Sequence, residues 1–236
     1  CYSQPSTYKI TLYRLAICTS DPLIGTQVDF TNCTDTFNDT SGTLIDLGTL
    51  NSPIPLKDAS VRPPSNTYTH MLLIMGNKIT LKGSYETAVA TYNTENNTNS
   101  HGGKFTPSSS NATPQEFSHE FAKYGFSGSG CQYTYQRTAD DGQIRAAITN
   151  NSLTYQTTSS GGQCSGTITR IAGLYIPNTP LKITDSTNGL ELQFVISDGG
   201  LQIESALNDH PSSNSDHNKQ PGWAWAGDFK PKFVAF

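Results

Sequence analysis

Charge, sulfur and tryptophan are all scarce in this chain. Only 14% of its 236 residues are charged, with two Met and two Trp, so ion pairs contribute little to its solubility. The net charge of −4 and a pI near 5.7 provide no basic face, which excludes ordinary nucleic-acid binding. No apolar run approaches the roughly 18 residues of a membrane span. There is no C-x-x-C pair, and no His stands at a ligand spacing from a Cys, so a thiolate metal centre is not indicated. G-x-S-x-G, H-E-x-x-H and Gly-rich phosphate loops are all missing. The expectation is a protein that is not an enzyme and carries no cofactor or metal.

Ser, Thr and Asn fill the space left by charge, at about three residues in ten. Hydrophobic residues are 34% of the chain, but they fall in alternating runs that read as strands. Tyr8, Ile10 and Leu12 alternate with polar residues, and Leu15 and Ile17 resume on a shifted phase, which predicts a β-bulge at Tyr13-Arg14. The continuous run Met71 to Met75 predicts a strand buried on both faces. Gly76-Asn77 then reads as a hairpin turn into Ile79 and Leu81. Leu181 to Ile203 reads as the clearest hairpin, with turns at Asp185–Gly189 and Asp198–Gly200. One weak helical pattern remains, at Gln115 to Tyr124. The fold class expected is all-β, a Greek-key or jelly-roll-like sandwich in a single domain over 1–236, with a long polar insertion at about 88–130. The alternative is two β domains, 1–87 and 131–236.

Five cysteines remain to be placed. Cys18 with Cys33, and Cys131 with Cys164, are expected to close local disulfides, which leaves Cys1 over. With Cys1 in the first position, the chain reads as a mature product exported with its signal removed, at the cell surface or outside it. Cys1 is then an anchor for lipid, an interchain bond or a buried thiol.

The candidate sites follow from residue type. Asn32, Asn38, Asn96, Asn111 and Asn150 begin N-x-Ser/Thr sequons and are candidate glycosylation acceptors. Asp209-His210, Asp216-His217 and His101 lie in polar loops, where a solvated loop is favoured over a metal site. Asp140-Asp141-Gly142 reads as a plain turn. Trp223 and Trp225 share one face of a strand, either as an aromatic platform for sugar rings or as core packing between Gly222 and Gly227. Glu86, Glu116, Glu120, Glu191 and Glu204 are scattered and unmarked by any motif, so a jelly-roll glycoside hydrolase is only a third reading.

Two stretches carry a resemblance. Tyr8-Lys9-Ile10-Thr11-Leu12-Tyr13-Arg14-Leu15-Ala16-Ile17-Cys18 and Pro64-Ser65-Asn66-Thr67-Tyr68-Thr69-His70-Met71-Leu72-Leu73-Ile74 resemble strands of secreted and lipid-anchored bacterial β-sandwich domains of unknown function. In architecture the chain is also similar to prokaryotic surface-filament subunits joined by strand exchange. The missing motifs, the Ser/Thr/Asn-rich exterior and strand-like segments at both ends lead to the same expectation, an extracellular structural subunit of a surface filament or fibre that assembles head-to-tail with copies of itself. Strand addition would use the terminal strands, through Tyr8, Ile10 and Leu12 or through Phe229, Phe233 and Phe236. The alternative function is a carbohydrate-binding or adhesive surface module whose partners are surface glycans.

Overall fold

A computed structural model describes residues 2–49, 62–88, 90–96, 102–122, 125–126, 132–156, 159–160, 163–164, 166–196, 199–205, 221–227 and 230–236. The described residues hold strands and no helix. In chain order the first strands are β1 (Tyr2–Ser3), β2 (Thr7–Cys18), β3 (Cys33–Asp46), β4 (Asn66–Tyr68), β5 (His70–Gly76), β6 (Lys78–Lys82) and β7 (Ser84–Glu86). Then come β8 (Thr91–Glu95), β9 (Gly103–Pro107), β10 (Phe117–Glu120), β11 (Thr134–Ala139), β12 (Gly142–Thr149), β13 (Ser159–Ser160) and β14 (Gln163–Cys164). The last are β15 (Arg170–Pro177), β16 (Leu181–Ile183), β17 (Leu190–Val195), β18 (Leu201–Ser205), β19 (Pro221–Ala226) and β20 (Lys230–Ala235).

Two large antiparallel sheets dominate. The smaller has the order β1-β18-β19-β9-β8-β7. The larger runs β10-β6-β2-β5-β15-β12-β11, with β3 on the remaining edge of β2. Both sheets mix strands from the two halves of the chain, and β15 pairs with β5 over six positions from Arg170↔Gly76 to Tyr175↔Met71. A cut near residue 88 or 130 would therefore sever hydrogen-bonded sheet.

Strand β2 organises the core. Its pairing shifts register between Leu12 and Arg14, so the bulge falls where the broken alternation places it. The bulge keeps Tyr8, Ile10, Leu12, Leu15 and Ile17 on one side, in the main core, and turns Ala16 and Cys18 to the other. The run Met71 to Met75 is buried on both faces. Met71, Leu73 and Met75 join the main core, while Leu72 and Ile74 join a second cluster. That cluster is covered by the loop between β2 and β3, whose Leu23 and Val28 pack on it. Each such aliphatic side chain contributes about 1.5–3 kcal/mol on burial. The loop is closed at its base by the Cys18–Cys33 disulfide and pinned by an ion pair between Asp21 and Arg145.

Four expectations differ from what is found. Gly76-Asn77 does not reverse the chain. β5 and β6 lie end to end along β2, through Leu12↔Met75 to Cys18↔His70 and Thr7↔Lys82 to Lys9↔Thr80. A two-residue hairpin turn needs φ > 0 at its centre, and neither Gly76 nor Asn77 has it. Instead Asn77 donates through Nδ2 to Ile168 O at 2.9 Å, marking the kink where the outer neighbour changes from β15 to β10. The strands β16, β17 and β18 exist, but they pair with β4, β20 and β19 rather than with one another. Residues 115–122 are not helical. Phe117 to Glu120 pairs with β6 and buries Phe117, and Tyr124 lies outside the described residues.

The stretch 88–130, expected to be a polar insertion, supplies β8, β9 and β10. It places Tyr92, Phe105 and Phe117 in the core. Its buried polar residues are satisfied internally. Thr94 Oγ1 donates to Gln115 O at 2.8 Å, and Asn93 Nδ2 donates to Asn111 O at 2.7 Å.

Candidate functional site

The sequence Trp223-Ala224-Trp225-Ala226 inverts the usual logic of a sheet. Ala224 points inward and is fully buried, in line with Ile203 on β18 and Gly103 on β9. The bulky tryptophans face the other way, and Trp223 is 41% exposed. A small residue suffices at position 224 because the Phe117 ring fills the space a Gly103 side chain would take: a Cβ there would lie 2.6 Å from its Cγ.

The outward row across the sheet reads Glu204, Trp223, Lys104, Glu95, one residue from each of β18, β19, β9 and β8. Trp225 follows in the next row beside Gln202. The two indoles have centroids 6.3 Å apart and planes 28° from parallel. Trp225 is held from three sides. Its Nε1–H donates to Glu204 Oε2 at 3.0 Å. Its benzo ring covers Gly102, where a Cβ would stand 2.6 Å from Cε3. His119 meets it edge-on at 5.6 Å, and the His119 Nδ1 accepts from Ala226 N at 3.0 Å, which puts that ring's proton on Nε2.

Lys104 pairs with Glu95 at 3.6 Å. The Glu95 carboxyl is held below the usual carboxylate range, first by the Thr106 hydroxyl and then by the Lys104 charge. Such a surface holds two aromatic faces beside carboxylate and ammonium groups. It can stack on apolar C–H faces and bond to hydroxyls.

The other expected residues fall as follows. Cys18 and Cys33 are bonded to each other. Cys164 is in a disulfide, while Cys1 and Cys131 lie outside the described residues. Tyr8, Ile10 and Leu12 are buried in β2, a strand paired on both edges. Phe233 pairs through its backbone with Leu192, and Phe236 is exposed, with its carbonyl accepting from Gly189 N. Phe229, His101, Asp209, His210, Asp216 and His217 lie outside the described residues. Asn32, Asn38 and Asn96 are exposed. Asn111 and Asn150 are half-buried and bonded internally, Asn111 to Thr94 O and Asn150 to Thr154 N. Asp140-Asp141 forms the two-residue connection between β11 and β12.

Sequence reasoning left the partners of the tryptophans unassigned. Glu95 and Lys104 sit on strands close in sequence, but Glu204 joins them only through the register of β18 and β19, and His119 reaches Trp225 from β10 of the other sheet. A second polar group was also unforeseen. Arg145, paired with Asp21, and Tyr155 line a cleft of about 410 Å³ beside β11. The Tyr155 hydroxyl is sealed from solvent without a hydrogen-bond partner, and burial pushes its pKa up to about 12. That geometry clasps the β2–β3 loop, to whose Thr26 O the Tyr155 N also donates.

Comparison with known families, characterised proteins and solved structures finds no match.

Proposed function

We propose that this protein is an extracellular carbohydrate-binding module whose binding face is the outer surface of the six-stranded sheet around Trp223 and Trp225. The observation that carries the reading is the inverted strand β19. It turns both tryptophans outward, Trp223 exposed and Trp225 half-buried, and buries alanine, although the reverse would bury more apolar area. The three contacts that hold Trp225 support it, because an indole fixed before binding loses little entropy on contact. The Cys18–Cys33 disulfide is consistent with an oxidising compartment. A glycan array tests the reading. Binding to at least one glycan class, lost in a Trp223→Ala, Trp225→Ala double variant of unchanged melting temperature, is the expected result. Unchanged binding in the variant would refute it.

A second reading, self-assembly by strand addition, has one supporting observation. Among the described residues β17 and β20 form a two-stranded sheet apart from the two large ones, a pairing of the kind that strand addition between copies would use. Light scattering at high concentration tests it, and a strictly monomeric particle would remove it.

A further inference from the structure

We infer that Lys104 and Glu204, on either side of Trp223, set the specificity of this face, and that they select pyranoses whose ring substituents are all equatorial, the gluco, N-acetylgluco and xylo configurations. This rests on the carbohydrate reading above and names the substrate class of the same face. The two indoles lie across the sheet. Trp225 donates from Nε1 to Glu204 on β18 at 3.0 Å, and its benzo ring covers Gly102, the residue before β9. It therefore spans β19 from the strand on one side to the chain on the other. Trp223 stands one strand repeat away, with 6.3 Å between centroids and planes only 28° apart, so its ring lies across the sheet in the same sense. It is the more exposed of the two.

Trp223 has a charged neighbour on each side in its own row, Glu204 on β18 and Lys104 on β9. The two flanking strands are about 10 Å apart, twice the spacing of neighbouring strands. Both groups are exposed and have bonding capacity to spare. Glu204 spends Oε2 on the Trp225 indole and keeps Oε1. Lys104 carries three N–H donors. Its one partner among the described residues is Glu95, at 3.6 Å, and that carboxylate also takes the Thr106 hydroxyl on the same oxygen at 2.5 Å.

A pyranose stacked on Trp223 holds its ring parallel to the indole, C–H groups against the π face. Its equatorial hydroxyls then radiate sideways over the two flanking strands. One flank offers an acceptor, the Glu204 carboxylate, and the other a donor, the Lys104 ammonium. A hydroxyl both donates and accepts, so each flank makes a charge-assisted bond. An axial hydroxyl leaves that plane. Pointing inward, it lifts the sugar off the indole. Pointing outward, it reaches neither flank.

The test is a tryptophan-emission titration with methyl β-glycosides. The gluco, N-acetylgluco and xylo forms are compared with the galacto form, axial at O4, and the manno form, axial at O2, and the three all-equatorial sugars are repeated as β-1,4-linked trisaccharides. The expected result is that at least one all-equatorial sugar binds at least fivefold tighter than both axial ones, and the one that binds tightest identifies the sugar. Lys104→Met should lower its affinity about tenfold. Glu204→Gln should lower it about threefold, since the amide oxygen still accepts from Trp225 but carries no charge. Both are surface changes, and an unaltered melting temperature and emission maximum without sugar confirm that the platform is intact. Axial sugars that bind as tightly, or full affinity in both variants, would overturn the selection and leave the platform standing. No response to any monosaccharide or trisaccharide would remove the platform reading and this inference together.

Discussion

Replacing Gly102 by Ala tests the geometry of the binding face at its tightest point. Gly102 has φ +118°, and a Cβ there would lie 2.6 Å from Trp225 Cε3 and 2.7 Å from the Ala224 carbonyl oxygen. Two costs follow. Holding an L-residue in that backbone region costs about 1–3 kcal/mol. The overlap adds about 1–3 kcal/mol more, because the Ala224 backbone is fixed in the sheet and only the indole can move. A loss near 3 kcal/mol in a domain of this size lowers the melting temperature by about 6–12 °C. Calorimetry measures it, and tryptophan fluorescence adds a second signal, since the displaced Trp225 loses its Glu204 partner and its emission shifts toward that of exposed indole. A variant as stable as the parent, with unaltered emission, would show that the indole does not lie over Gly102.

Other perturbations have equally definite outcomes. A Cys18→Ala, Cys33→Ala variant, which opens a loop of sequence separation 15, should lose about 3 kcal/mol in urea unfolding; a loss below about 1 kcal/mol would mean the Asp21–Arg145 clasp restrains the loop without it. Burial raises the hydroxyls of Tyr155 and Tyr175 to about 12. Because the folded values lie above the unfolded value near 10, their contribution is complete below about pH 10 and is lost as pH rises toward 12. Absorbance titration should show part of the tyrosine signal ionising only as pH approaches 12, and complete titration near pH 10 would contradict the burial of Tyr155 and Tyr175. Secretion from a eukaryotic host should place glycans on Asn32, Asn38 and Asn96 and spare Asn111 and Asn150, as read by peptide mass spectrometry; occupancy of the two internal sites would show that they are accessible before folding ends.

What could be read in advance was what depends on neighbours in sequence. The phase break after Leu12 forecast the bulge. The unbroken run Met71 to Met75 forecast burial on two faces, and the spacing of Cys18 and Cys33 forecast their bond. Pairing was harder, because it is decided by partners far away. Asn77 reads as a turn residue from its neighbours, but its amide is claimed by Ile168, ninety-one positions on. Polar composition misled in 88–130, where Asn93 and Thr94 are buried and bonded to backbone carbonyls near residue 111 and residue 115. For the tryptophans, spacing showed that they share a face but not which face. The single alanine between them decides it, because Ala224 is fully buried and its neighbours on the strand therefore face the other way.

The most direct measurement of the central claim uses the fact that the chain has only these two tryptophans. Tryptophan emission, excited beyond the tyrosine absorption band, then reports on the platform alone. Titration with neutral malto-, laminari- and cello-oligosaccharides should give, in at least one series, a saturable change in emission together with protection of Trp223 from acrylamide quenching. No saturable change in any series, with quenching unaltered at the highest sugar concentration, would contradict a carbohydrate-binding face at Trp223 and Trp225.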